Sequence, residues 1–316
     1  MALRVFSWFT LGWTLLTILV GAVVRATHSG DGCGASWPSC DGAFTLSGDE
    51  HLSRIIEFSH RTVSGLNLVF VVVLLVAVLV MLPRGHRARR SAPWVLVSIL
   101  IEAGIGAMIV LYGWVAADVS PARQISVPLH LLNTLVLTGV TALCVWHIGG
   151  GGALSFADRG RVRALVGLAT MLGLVAATGA TTSLADTLFP SQSLSGGIAA
   201  DLDRASAFIV QIRILHPILA ILTGAAVAAY AWRHVEEAQR ARHAWSAHAV
   251  ILCVGLQVMV GFIHVAMLTP LATLLVHLAL AQVLWVGFAL FSFDLLERRV
   301  EAPTPMASAL ARSSAR

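Results

Sequence analysis

Four histidines, His60, His130, His216 and His277, stand in stretches that are otherwise apolar: EFSHRTVSGL, LHLLNT, RILHP and VHLAL. Glu57 and Arg61 accompany the first, and Arg213 precedes the third. A neutral imidazole can move protons, bridge helices by hydrogen bonds, or offer a ring nitrogen to a metal. Ionisable groups at membrane depth are costly, so each needs a partner or a task. Which task these four perform depends on the elements that place them.

Those elements are greasy. Of 316 residues, 57% are hydrophobic and 12% charged, with a mean hydropathy of +0.83, which excludes a soluble domain of this length. The fold class is therefore all-α integral membrane. Runs of about 20 apolar residues can be placed at 5–25, 58–82, 93–116, 127–148, 162–183, 207–232, 245–268 and 271–293. The first exceeds the apolar core of a cleaved signal and reads as a retained helix. The 21 basic residues are all arginine, and their distribution speaks against nucleic acid despite a pI near 9.7. Arg4, the 83–90 linker, Arg159 to Arg163, the 232–242 linker and the tail gather at one end of the spans. The positive-inside rule makes that end cytoplasmic, with both termini inside. The long polar segments 26–57 and 184–206 then face outward, and the tail 301–316 reads as disordered.

The chain repeats itself. GAVVRAT (21–27) answers GATTSLA (179–185), IEAGIG (101–106) answers LQVMVG (256–261), EFSHR answers RILHP, and LHLLN (129–133) answers VHLAL (276–280). Two four-span halves, 1–150 and 151–300, follow. An even number of crossings makes the repeat parallel, with a pseudo-twofold axis along the membrane normal.

In that frame the four histidines enter from the outer face in spans two, four, six and eight, within roughly 4–15 Å of the surface at ~1.5 Å per residue. One such histidine is ordinarily a helix–helix hydrogen bond. Four in register within a duplicated unit point instead to axial ligation of heme iron, His60 with His130 and His216 with His277. Zinc fits less well, since no carboxylate or cysteine completes a tetrahedral set. His28, His51, His86, His147, His234, His243 and His248 fall in loops or near cytoplasmic edges and read as solvated; His264 reads as a structural contact.

The halves differ around their histidines. Glu57 stands three residues before His60, where the second half has Arg213 before His216; Arg61 is matched by Pro217 and Asn133 by Leu280. The first half thus has the equipment for chemistry, and the second holds a structural or electron-transferring heme. The plain alternative for Glu57 is a charge at a helix N-terminus. Arg25, Arg61 and Arg213 are candidates for heme propionates. Glu102 in span three, matched by Gln257, reads as an interhelical hydrogen bond or a proton path. Cys33 and Cys40 share the outer loop CGASWPSC and read as a disulfide, structural or redox-active; Cys144 and Cys253 read as buried thiols.

GAVVRATHSGDGC, EFSHR, LHLLNT, RILHP and HLALAQVLW together resemble the heme A synthase family, over all eight spans. The resemblance implies an oxidoreductase of the cytoplasmic membrane that converts a methyl group of heme O to the formyl group of heme A for terminal oxidases. It implies that His60 and His130 border the heme O/heme A site, that His216 and His277 ligate a resident heme b, and that Glu57 is needed for activity. Heme O synthase and cytochrome oxidase assembly factors are the partners it implies, beside the lipid bilayer. His28 departs from the family's RATGSG pattern, which has glycine there. The other readings of the same histidines are a diheme, quinol-linked electron-transfer cytochrome and a heme transporter or chaperone.

Overall fold

A computed structural model describes residues 1–45, 51–239, 241 and 243–298. The expected tail at 301–316 lies outside the described residues. In chain order the helices are α1 (Ala2–Ala26), α2 (Leu52–Met81), α3 (Ala88–Leu111), α4 (Pro121–Ile148), α5 (Arg159–Leu188), α6 (Leu194–Leu202), α7 (Phe208–Gln211), α8 (Leu215–Arg233), α9 (Val235–Gln239), α10 (Ser246–Ala266) and α11 (Leu271–Leu296). A 3₁₀ turn, Ile212–Ile214, joins α7 to α8. Among the described residues eight helices are long and apolar enough to cross a membrane, α7 to α8 counting as one span. This is a multi-pass membrane protein.

Local chemistry sets several helix ends. The Ser120 hydroxyl accepts from the Arg123 N–H with Pro121 at the first helical position, and Asp158 accepts from Arg161 N–H at 2.9 Å, both N-terminal caps. The sixth span breaks where Pro217, lacking an N–H, leaves the Arg213 carbonyl without its helical donor. The 3₁₀ turn sits there, just ahead of His216. The turn between α10 and α11 is so short that Leu268 and Thr269 both take left-handed backbone, φ 59° and 57°, at a cost of about 1–2 kcal/mol each.

Several element ends differ from the expectation. Helices α2 and α4 each begin six residues before their apolar windows (58−52, 127−121) and α3 five (93−88), because their first turns carry polar residues. The segment 184–206 is also more regular than its composition implies: α5 continues to Leu188 and α6 forms within it.

Packing is uneven along the helices. One cluster joins Leu3, Val71, Leu74, Val78, Val95, Ile99 and Leu137, and a second joins Leu165, Val227, Val250, Phe288 and Phe291. A third, Leu11, Val145, Trp146, Val286 and Leu290, fills the seam between α1, α4 and α11. All three lie towards the arginine-rich end. At the other end, which carries the Cys33–Cys40 loop, α2 has no buried residue between Glu57 and Asn67. Helix α8 has none before Thr223, and α11 none before Gln282. Protein interiors are otherwise close-packed, so this loosely filled layer is where a bulky group fits.

Candidate functional site

The four histidines sit in that layer. Counted from the first helical residue of its span, His60 is 8 residues in (60−52), His130 9 (130−121), His216 8 (216−208) and His277 6 (277−271). At 1.5 Å per residue they share one level to within about a turn. All four are half-buried.

Each rests on a glycine of the preceding long helix. A Cβ at Gly21 of α1 would come 2.9 Å from Cε1 of His60, and one at Gly179 of α5 would come 2.8 Å from Cε1 of His216. Gly261 of α10 faces His277 at 3.2 Å, and Gly106 of α3 faces His130 at 3.8 Å. Gly21 and Gly179 lie 158 (179−21) residues apart, and Gly106 and Gly261 lie 155 (261−106). Only hydrogen at the first three contacts lets the ring lie against the backbone; at Gly106 a methyl group would make ordinary contact. Gly179→Val is therefore expected to push the His216 ring off its seat; if the His216–His277 pair holds a heme, low-spin absorption per chain should fall at least tenfold.

The rings of His216 and His277 stand 6.4 Å apart, centre to centre, and 84° to each other. A metal between two imidazoles, with a bond of about 2 Å to each nitrogen, brings the ring centres to roughly 6 Å. The spacing therefore fits a shared iron. Nδ1 of His216 faces the Val175 carbonyl at 3.2 Å and Thr178 Oγ1 at 3.4 Å, the backing that orients a metal-binding ring and leaves Nε2 available. Nδ1 of His60, His130 and His277 are buried without a hydrogen-bond partner, a costly condition. The spacing of the second-pair rings and the loosely filled layer together suit a bis-imidazole iron porphyrin.

Around the first pair, Glu57 is buried at 2% exposure. Its Oε2 accepts from the Cys33 N–H at 2.7 Å, and its Oε1 accepts from Arg61 Nε at 3.1 Å and Nη2 at 2.5 Å. Arg61 continues to the carbonyls of Ser36, at 2.7 Å, and Ser39. Cys33 and Cys40 are disulfide-bonded and fully buried. Glu57 and Arg61 thus clasp the disulfide loop onto α2. The alternative of a helix-terminal charge does not hold, because Glu57 lies beyond the first turn. Asn133 donates to the Ser98 carbonyl at 3.1 Å and to Glu102.

The second half uses different chemistry at the same end. Arg213 reaches Asp186 of α5 at 3.0 Å and Asp201 of α6 at 2.6 Å, so the α5–α8 connection is held by ion pairs. Arg25 crosses between halves to Ser183 at 2.6 Å and Thr187 at 3.3 Å. The aspartates gave no sequence signal, standing in a polar segment among residues of their kind. His264, expected as a structural contact, stacks on His277 at 6.2 Å and 9° and meets Thr273 Oγ1 at 2.8 Å. At the opposite end, His147 and His243 are buried rather than solvated. His147 faces Ser91 at 3.1 Å, and His243 faces Asp294 at 3.2 Å, which also accepts from Trp146 Nε1 at 2.7 Å.

A family model described as "Cytochrome oxidase assembly protein" matches residues 4–55 and 45–289. The chain belongs to this family. A relative from Thermus thermophilus named protoheme IX farnesyltransferase is 37% identical over 300 residues, which is 93% of this chain and 48% of that protein. A heme A synthase of Symbiobacterium thermophilum is 34% identical over 155 residues, 49% of this chain and 47% of the relative. A heme A synthase of Listeria welshimeri is 32% identical over 111 residues, 35% of this chain and 36% of the relative. The chain thus spans about half the length of the first of these relatives. In this member of the cytochrome oxidase assembly family, His28 has φ 55°. That is left-handed backbone, which glycine adopts without cost. The position calls for the glycine of the RATGSG pattern, and here a histidine fills it, with Nδ1 3.1 Å from the Ala116 carbonyl.

Proposed function

We propose that the chain oxidises a methyl group of heme O to the formyl group of heme A. The observation that carries this reading is one histidine layer with two unlike surroundings. Both halves set their histidines beside glycines, but among the described residues the first adds a buried glutamate and a disulfide loop where the second has Arg213 paired to two aspartates. Two hemes serving the same electron-carrying role would not call for that difference. Relatives named heme A synthase support the reading.

In this proposal His60 and His130 border substrate heme O, and His216 and His277 bind a resident heme b. When bound there, heme b supplies one-electron redox capacity. The residues of the chain hold the reacting carbon still and manage charge. The Gly21 seat fixes the His60 ring. Glu57 and Arg61 lock the loop bearing Cys33 and Cys40 over the first-half site, excluding water from the end of the bundle. Glu57, three residues from His60, also supplies a negative charge beside a carbon that loses hydrogens and gains oxygen. Arg25 is the propionate candidate whose hydrogen bonds go only to hydroxyls, while Arg61 and Arg213 already face carboxylates.

The disulfide supports placing its end of the bundle on the oxidising side of the cytoplasmic membrane, with the arginine-rich linkers inside. The recurring glycine–histidine pairs support two pseudosymmetric halves, 1–150 and 151–300. The Thermus relative's name supports an enzyme that supplies heme O as a partner, and cytochrome oxidase assembly factors are the others proposed.

Expression beside a heme O supply, followed by extraction, chromatography and mass analysis of heme, tests the activity. A formyl-bearing product is expected, absent when the chain is withheld. Heme O recovered unchanged beside two reducible hemes would mark an electron carrier. Reversible uptake without modification would mark a transporter.

A further inference from the structure

Glu102 of α3 lies in the histidine layer, and its carboxylate is gripped by the helix that carries His130. Oε1 is 3.2 Å from Nδ1 of His130, a charge contact whose angle falls short of a hydrogen bond. The same oxygen accepts from the Thr134 hydroxyl, and Oε2 accepts from the Asn133 amide, which is anchored in turn on the Ser98 carbonyl at 3.1 Å. Asn133 and Thr134 stand three and four residues after His130, on the same face of α4. Ring and carboxylate are therefore held as one unit.

One repeat later, 155 residues on (257−102), stands Gln257. Its Nε2 lies 3.1 Å from Nε2 of His277. The same place in both halves meets the proposed ligand histidine, but at different nitrogens: a carboxylate at Nδ1 of His130 and a neutral amide at Nε2 of His277. The grips differ as well: Asn133 and Thr134 correspond to Leu280 and Ala281, 147 residues on (280−133).

We infer that Glu102 is a positioning residue for His130, turning Nδ1 towards its carboxylate and Nε2 towards iron, and that its charge makes the first-half iron the harder of the two to reduce. This rests on the proposal that His130 binds iron. A carboxylate behind a ligating imidazole raises the basicity of the ligand and favours the more positive metal; a carboxamide adds no charge. The resulting gradient sends electrons from the first-half site towards the second, the direction an oxidation in the first half needs.

The test uses the purified full-length protein with its iron porphyrins, titrated with reductant and followed by absorption and electron paramagnetic resonance. Glu102→Gln should raise the ferrous-to-ferric ratio of the His130-dependent site at least tenfold at a given potential, about 59 mV for one electron. The second-half signal should stay where it is. Gln is already the residue at the matching place in the other half; Glu102→Met, unbranched and of similar length, is the second variant if the first does not assemble. His130→Ala identifies the signal. If it changes no iron signal, the assignment of His130 fails. If it removes one, and the Glu102 variants leave that signal's potential unchanged, the assignment stands and the tuning role is overturned.

Discussion

His216→Ala is expected to strip the second-half pair of its iron porphyrin, weakening binding more than about a hundredfold, beyond the 10–100-fold typical of losing a mere backing group. The ring is held from two sides: Gly179 leaves it no slack on α5, and the Val175 carbonyl fixes Nδ1. Its partner His277 stands at the spacing that a shared iron needs. Alanine removes the donor nitrogen, and nothing on the adjoining turn replaces it. Heme per chain, measured as reduced low-spin absorption against protein, should fall by about half while the first-half signal remains. Full retention of both signals would remove His216 from the site.

Glu57→Ala should have the second large effect, on loop and product together. Its side chain and that of Arg61 are 3% and 10% exposed, so deleting the carboxylate leaves a buried guanidinium without its counter-charge. Breaking a buried pair in this way costs about 3–5 kcal/mol, and the Cys33 N–H loses its acceptor too. The loop should loosen, seen as much faster reduction of the Cys33–Cys40 disulfide by added thiol. Formyl product should drop at least about a hundredfold, the scale of losing fixed charge at a reacting centre. Glu57→Gln separates the two effects. Its one carbonyl oxygen can serve the Cys33 N–H or Arg61 but not both, so the loop should loosen less than in Glu57→Ala while product is still lost. A Gln variant with wild-type product would leave Glu57 as a clasp only.

The two clasps differ between the first four spans and the last four. In the first half the carboxylate and the guanidinium come from neighbouring turns of one helix, and the loop beside them is closed covalently. In the second, Arg213 takes the place of Glu57, and its counter-charges arrive from α5 and α6. Inverting the sign on the even helix required opposite charge from elsewhere. That is why Asp186 and Asp201 matter here and have no role in the first half's lock.

The sequence by itself determined the membrane class, the eight spans, the disulfide and the level of the four histidines. These follow from local properties: length of apolar runs, rise per residue, and an even count of crossings that returns each histidine to the same end. The family resemblance was equally legible, because its motifs are contiguous strings. Only the tertiary structure decided which ring meets which group. Arg61 and Arg213 carry the same charge in the sequence, yet one turns to its own helix and the other to two distant aspartates. Gly21, Gly106, Gly179 and Gly261 read as ordinary glycines of apolar helices until the packing set a histidine against each. His147 and His243 looked solvated because they lie near polar linkers, and packing buried them on Ser91 and Asp294. The distinction is physical: hydropathy and helical rise are fixed by neighbours along the chain, whereas the partner of a buried charge or ring is chosen by which helices approach within a few ångströms.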